Sequence, residues 1–255
     1  MTIFMERQMA GHFVRWTGNP GQLVADSAIP QDIIDSAQHL ADKRRGRFLA
    51  ARILLAQLMQ RIYGLHRLPP IVKRHNGRPA FADRDLPDFN IAYAGNTVGV
   101  LLAEERSQVG LDMDIVRAHS RQTQALMVQG LSSGEIAWIN AQQDVPEAVT
   151  QIWTLRHSVM KLQGAGEEGL RSLQLLPGAG RLRTTLPTDL QILCDAEPTL
   201  VWSCALSPHV RRLYLWEITG GGQWSALRDI ALDKPDDGTK MMRLTTLHGR
   251  ALASY

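Results

Sequence analysis

Cysteine is nearly absent: only Cys194 and Cys204 occur in 255 residues, with no CxxC or metal-ligand spacing between them. Two thiols make no disulfide framework, and a reducing, cytoplasmic setting is the expectation. Long apolar runs are also missing. None approaches the roughly 20 residues that a membrane-spanning helix needs, and residues 1–13 hold no charged leader followed by an apolar core. No membrane partner is expected. Low-complexity stretches are absent and charged residues make up 21% of the chain, which excludes global disorder. The net charge is only +3, so charge alone does not argue for a nucleic-acid partner. Neither a P-loop, a dinucleotide fingerprint nor a Ser-His-Asp arrangement is present.

What is present is enough apolar material for a sizeable core. Hydrophobic residues are 44% of the chain, sufficient for one large domain or two small ones. Residues 12–16 read as a strand and 30–41 as a short helix. Helical spacing is strongest from Asp42 to Leu65, with Asp42 as a candidate cap, Phe48, Leu49, Arg52, Leu55 and Met59 near one stripe, and Gly64 as the stop. Residues 71–73 lead to a turn at Asn76-Gly77. Strands follow at 88–93 and 97–103, joined through Gly95-Asn96, and at 107–115. Helices are predicted over 119–130, 133–143 and 146–163, ended by the Gly-rich piece 164–169. Short strands follow across 171–206, and one more at 212–217. The final 38 residues show little periodicity and read as a loosely packed tail. Antiparallel clusters of strands beside long helices predict an α+β fold.

Some residue pairs carry chemistry. Asp112 and Asp114 stand at i and i+2 of a predicted strand, which turns both carboxylates to one face. Like charges side by side repel, and a divalent cation relieves that repulsion. Mg²⁺ commonly takes one or two carboxylates and completes its shell from phosphates and water. A solvated Asp-x-Asp on an exposed face has the same spacing. Trp153, His157 and Lys161 share one helix face. Trp153 suits core packing, and Lys161 suits either a phosphate contact or a solvated charge. Glu135 reads equally as an acidic site residue or as an early-turn helix carboxylate. His75, His119, His209 and His248 show no ligand spacing with one another.

The order of several motifs resembles that of the phosphopantetheinyl transferase superfamily. Gly77-Arg78-Pro79 with Phe81 resembles the family's Gly-Lys-Pro loop, and Phe89-Asn90-Ile91-Ala92-Tyr93-Ala94 its Phe-Asn-Ile-Ser-His-Ser strand. Val109-Gly110-Leu111-Asp112-Met113-Asp114 resembles Val-Gly-Val-Asp-Ile-Glu. Leu131 to Glu135 resembles Phe-Ser-x-x-Glu, and Trp153 to Lys161 resembles Trp-Thr-x-Lys-Glu-Ala-x-x-Lys. A basic helix from Arg44 to Leu55 precedes them, as it does in the family. The resemblance spans roughly residues 43–206.

That resemblance implies two similar α+β halves, residues 1–105 and 106–209, with coenzyme A in the cleft between them and 210–255 as an extension. It implies Mg²⁺ on Asp112 and Asp114, His157 and Lys161 as catalytic groups, and Arg47, Arg52, Arg78, Tyr93 and Lys161 as coenzyme A contacts. The implied partner is an acyl or peptidyl carrier protein, and a monomer is expected. Two departures stand out. His157 occupies the position of a family glutamate, and Ala92-Tyr93-Ala94 replaces Ser-His-Ser, removing side-chain donors. Imidazole is a poor Mg²⁺ ligand, though a neutral ring can accept a proton. The departures leave a second expectation open: a catalytically silent relative that binds a carrier protein or synthase complex.

Overall fold

The computed structural model describes residues 9–18, 29–104, 106–117, 120–185, 189–219, 222–232 and 241–247. Strand β1 (Ala10–Thr17) opens the chain, followed by helices α1 (Gln31–Ser36) and α2 (Asp42–Tyr63). A short hairpin, β2 (Ile71–Lys73) and β3 (Pro79–Phe81), leads to the longer hairpin of β4 (Asp88–Ala94) and β5 (Thr97–Ala103). Gly95 turns this second hairpin at φ 57°, a left-handed backbone that glycine adopts without steric cost. Then come β6 (Val109–Ile115), helices α3 (Arg121–Val128), α4 (Ser133–Asn140), α5 (Val145–Gln163) and α6 (Glu167–Arg171), and the small hairpin β7 (Gln174–Leu176) and β8 (Arg181–Arg183). The chain closes with β9 (Gln191–Ala196), β10 (Leu200–Leu206), β11 (Arg212–Ile218), β12 (Trp224–Ala231) and β13 (Met242–Thr246).

The α+β expectation holds, and the topology makes the two-half relationship explicit. One sheet has the order β12-β11-β1-β5-β4 and the other β6-β10-β9-β13-β8-β7. Strand, long helix, short hairpin, then two antiparallel strands occur twice: β1, α2, β2–β3, β4, β5, and again β6, α5, β7–β8, β9, β10. In each half the last strand pairs between the first and the penultimate one. The halves differ in their short helices: α1 precedes the long helix in the first, whereas α3 and α4 precede it and α6 follows it in the second.

Side-chain alternation explains how the sheets stack. On β5, Leu101 joins Leu111, Trp202 and Cys204 in a core between the two sheets, while Val100 and Leu102 face Leu54, Leu55 and Met59 of α2. On β10, Trp202 and Cys204 face inward, while Val201 and Ala205 meet Ile152, Leu155 and Val159 of α5. The layers therefore run α2, first sheet, second sheet, α5. A strand buried on both faces cannot alternate apolar with polar, which is why 97–103 and 200–206 are mostly apolar, and the one polar side chain inside the second, Ser203, is satisfied by Thr154 Oγ1 at 2.8 Å.

Two expectations need correction. Asp42 is not the cap of α2; Ala41 is, without a side-chain bond, and Asp42 is the first helical residue. The described part of the last 38 residues is not a loose tail: β12 pairs with β11, the strand expected at 212–217, and so extends the first sheet, while β13 lies between β9 and β8 of the other. Strand β11 itself pairs in parallel with β1. Residues 220–221, 233–240 and 248–255 of that segment, like His119 and residues 1–8, lie outside the described residues. Among the described residues, no helix is long and apolar enough to cross a membrane.

Candidate functional site

Helix α5 is set by its ends. Asp144 accepts a bond from the backbone N–H of Glu147, Pro146 sits in the first turn, and Gly164 closes the helix at φ 63°. Its height on the sheet is set by Gly110 of β6. A Cβ at Gly110 would lie 1.9 Å from the carbonyl oxygen of Ser158 and 2.5 Å from the nitrogen of Leu162. Helix backbone thus rests directly on strand backbone. From that contact, Lys161 lies three residues further along the helix and Asp112 two residues further along the strand.

They meet: Lys161 Nζ donates to Asp112 Oδ1 at 2.7 Å and to the carbonyl of Leu111 at 3.0 Å. Asp112 is buried, and that burial pushes its carboxyl above the usual range. Lys161 and His157 pull the other way, and Asp114 adds to the rise. Asp114, two residues on, is partly exposed and accepts from the N–H of Ile115 at 2.7 Å.

His157 is half-buried one turn before Lys161. Its Nδ1 lies 2.8 Å from the carbonyl oxygen of Trp153, and the two rings pack at 4.1 Å. A carbonyl only accepts, so Nδ1 carries the hydrogen, and Nε2 is the nitrogen left to face a ligand. Trp153, read as a packing residue, therefore also orients the imidazole.

A basic cleft of about 710 Å³ opens on the first turns of α2 and the end of β4. Lys43, Arg44, Arg47, Phe48, Arg52, Ile91 and Tyr93 are among its walls. Arg52 stacks 3.6 Å above the ring of Phe48. Burial lowers the Arg52 value from its usual range, opposed by Tyr93, and raises that of the Tyr93 phenol, opposed by Arg52 and Arg47. Arg47 also donates to the carbonyl of Gly95. The cleft thus combines several cations, one phenol and an aromatic face, a composition suited to a phosphorylated ligand with an apolar part.

The cleft and the Asp112 cluster are joined along the seam where β4 meets β6. Asp88 Oδ2 accepts the N–H of Val109 at 3.0 Å and Asn90 Oδ1 that of Leu111 at 3.1 Å. Side-chain oxygens here do what a neighbouring strand's carbonyls would do. Further on, the Ile115 side chain fills the place of a Cβ at Gly95. This register puts the end of β4 that carries Tyr93 beside the end of β6 that carries Asp114.

The structure therefore brings Arg47, Arg52 and Tyr93 together on one side and Asp112, Asp114, His157 and Lys161 on the other. Arg78 joins neither group. It is 8% exposed, and its Nη2 donates to Asp88 Oδ2 at 2.6 Å, to the Val109 carbonyl at 2.7 Å and to that of Phe89 at 3.2 Å. The β2–β3 hairpin aims Arg78 at Asp88, and in the ligand-free chain its guanidinium closes the seam. Ala92 and Ala94 are likewise buried in the core between the sheets, so their methyls pack instead of lining the cleft. Glu135 is fully buried. It completes a capping box with Ser132 and pairs with Arg156 Nη1 at 2.8 Å, which makes it a helix-terminus and ion-pair residue. His209 Nε2 lies 2.9 Å from Ser107 Oγ.

Among the described residues, no three His, Cys, Asp or Glu side chains converge on a point that could hold a metal ion. Asp112 and Asp114 by themselves fit Mg²⁺ only as part of its shell, the rest coming from ligand phosphates and water.

Comparison with known proteins agrees with this geometry. Residues 108–202, which span β6 to β10, match the model of the 4'-phosphopantetheinyl transferase superfamily. The chain is 42% identical over 244 residues to "Uncharacterized protein YieE" of Escherichia coli K12, covering 94% of this chain and 96% of that protein. It is 32% identical over 172 residues to a Haemophilus influenzae protein named "Putative 4'-phosphopantetheinyl transferase", covering 63% of this chain and 72% of the other. It is 27% identical over 168 residues to 4'-phosphopantetheinyl transferase AcpT of Salmonella typhi, covering 65% and 79%. With the duplicated strand–helix–hairpin order, the Gly110 seat of α5 and these likenesses in hand, the chain belongs to the 4'-phosphopantetheinyl transferase superfamily.

Proposed function

We propose that the chain transfers the 4'-phosphopantetheine arm of coenzyme A to a serine of an acyl or peptidyl carrier protein. Residues 1–105 and 106–209 are taken as the two halves of the transferase, with 210–255 as an extension. The observation that carries the reading is the pairing of Lys161 with Asp112, one turn from His157, on a strand joined by the β4–β6 seam to the strand that lines the basic cleft. Arg47, Arg52 and Tyr93 hold the phosphates and the nucleoside part of coenzyme A in that cleft. Lys161 turns to the diphosphate and offsets charge that develops on it. His157 accepts the proton of the carrier serine at Nε2, held ready by its bond to the Trp153 carbonyl. The serine oxygen then bonds to the β-phosphorus, the phosphoanhydride bond breaks, and adenosine 3',5'-bisphosphate leaves with the electron pair. Mg²⁺, held by Asp112 and Asp114 when bound, would supply neutralisation of the diphosphate charge. A basic rim favours encounter with an acidic carrier.

One observation favours a second reading. His157 stands where a carboxylate is expected, and a fold that binds a carrier without turnover would tolerate that change. Calorimetry with coenzyme A and Mg²⁺ tests the first reading. Binding that is lost in Asp112→Ala supports it, and the absence of any coenzyme A binding by the native protein overturns it.

A further inference from the structure

We propose that Lys161 holds the place of a divalent cation at Asp112 in the ligand-free protein, so that the cation enters together with a diphosphate ligand and not before it. The inference rests on the reading of Asp112 and Asp114 as the cation site. It concerns how that site is loaded.

The geometry is specific. Lys161 Nζ is fixed by two acceptors, Asp112 Oδ1 at 2.7 Å and the Leu111 carbonyl at 3.0 Å. An ammonium at that distance occupies a carboxylate oxygen as a metal ion would. The side chain of Asp112 is 12% exposed and that of Lys161 30%, so the lysine is the partner with freedom to leave.

The charges point the same way. Two carboxylates and one ammonium leave the cluster a single net negative charge, and His157 brings no carboxylate to restore a second. A free divalent cation would meet weak attraction and would have to displace an ammonium of its own sign. A diphosphate changes both conditions. It brings the missing negative charge, and it gives Lys161 a new partner, which frees Asp112. Cation and diphosphate then each favour the binding of the other, a reciprocal coupling set by where the lysine sits.

The test uses Mn²⁺ as the probe, followed by electron paramagnetic resonance through loss of the free-ion signal, with and without coenzyme A. The native protein is expected to bind Mn²⁺ weakly alone and about tenfold or more tightly once coenzyme A is present. Lys161→Gln is expected to tighten Mn²⁺ binding in the absence of coenzyme A and to shrink the coupling. His157→Glu should also tighten it, by adding a ligand, while leaving most of the coupling in place. Unchanged or weaker Mn²⁺ binding by Lys161→Gln, with coenzyme A still bound, overturns this inference alone. Equal Mn²⁺ affinity with and without coenzyme A in the native protein does so too. If the native protein binds coenzyme A under no condition, the transferase reading falls, and this inference with it.

Discussion

Gly110 and Ser158 are in backbone contact: a methyl on Gly110 would sit 1.9 Å from the Ser158 carbonyl oxygen. Neither atom can move away by a rotamer change, because one belongs to a sheet strand and the other to a helix. Gly110→Ala is expected to cost about 3 kcal/mol of stability through overpacking. Urea unfolding would read it as a lower midpoint. A midpoint equal to that of the native protein would mean that α5 is not seated on β6 as described.

Asp112 is predicted to be held at a cost. Burial raises its carboxyl above the ordinary value of 3.8, against the pull of Lys161. A native value above the unfolded one means that the folded protein binds this proton more tightly. The associated stability is complete below about 3.8 and is lost as pH rises through the raised native value. Asp112→Asn removes that loss. Its melting temperature at pH 7 should equal or exceed that of the native protein, with a flatter pH dependence above pH 4, while coenzyme A binding weakens. A clear fall in melting temperature at pH 7 would show that the Lys161 pair outweighs burial.

The two arginines near the first-half hairpins should separate cleanly. Arg78→Ala leaves the buried Asp88 carboxylate unpaired and is expected to cost about 3 kcal/mol of stability, as breaking a buried ion pair does. Arg52→Ala removes a cation from the cleft wall, and coenzyme A affinity should fall about tenfold through the lost charge-assisted contact. Calorimetric affinity and the denaturation midpoint, measured on both variants, check this. Similar losses in both quantities for both residues would contradict the placement.

Both cysteines are sealed. Cys194 and Cys204 are 0% exposed, and burial pushes the Cys194 thiol up to about 12. The thiolate is the reactive form. A thiol reagent at pH 8 should therefore modify neither residue in the folded protein and both after unfolding. Fast modification of the native protein would place a thiol at the surface.

How much of this was legible in the sequence depended on how each segment is buried. Strands 97–103 and 200–206 are buried on both faces, and their largely apolar composition marks their bounds. Strand β12 buries little besides Ile230, and β13 fully buries only Leu244, so neither leaves a period to read. The pairing of β13 with the distant β8 and β9 is a tertiary effect, while β12 forms a hairpin with its neighbour β11. Asp112, Asp114, His157 and Lys161 were visible from spacing and motif, and the structure brings Asp112, His157 and Lys161 together. Arg78 and Glu135 were read by motif position as possible site groups, yet both are spent on buried carboxylate–guanidinium pairs. Sequence gives a charge but not its neighbour, and Asp88 and Arg156 are the neighbours that decide. The Asp88 and Asn90 bonds to β6 were equally out of reach, because they join strands that share no ladder.

The central claim is transfer, and intact mass spectrometry tests it most directly. Purified protein would be incubated with coenzyme A, Mg²⁺ and a panel of apo carrier proteins, beside the His157→Glu variant. With the native protein a carrier is expected to gain the mass of one phosphopantetheine arm, and Lys161→Ala is expected to lose most of this activity. Transfer by His157→Glu but not by the native protein, or by neither, would contradict it and leave a fold kept for binding alone.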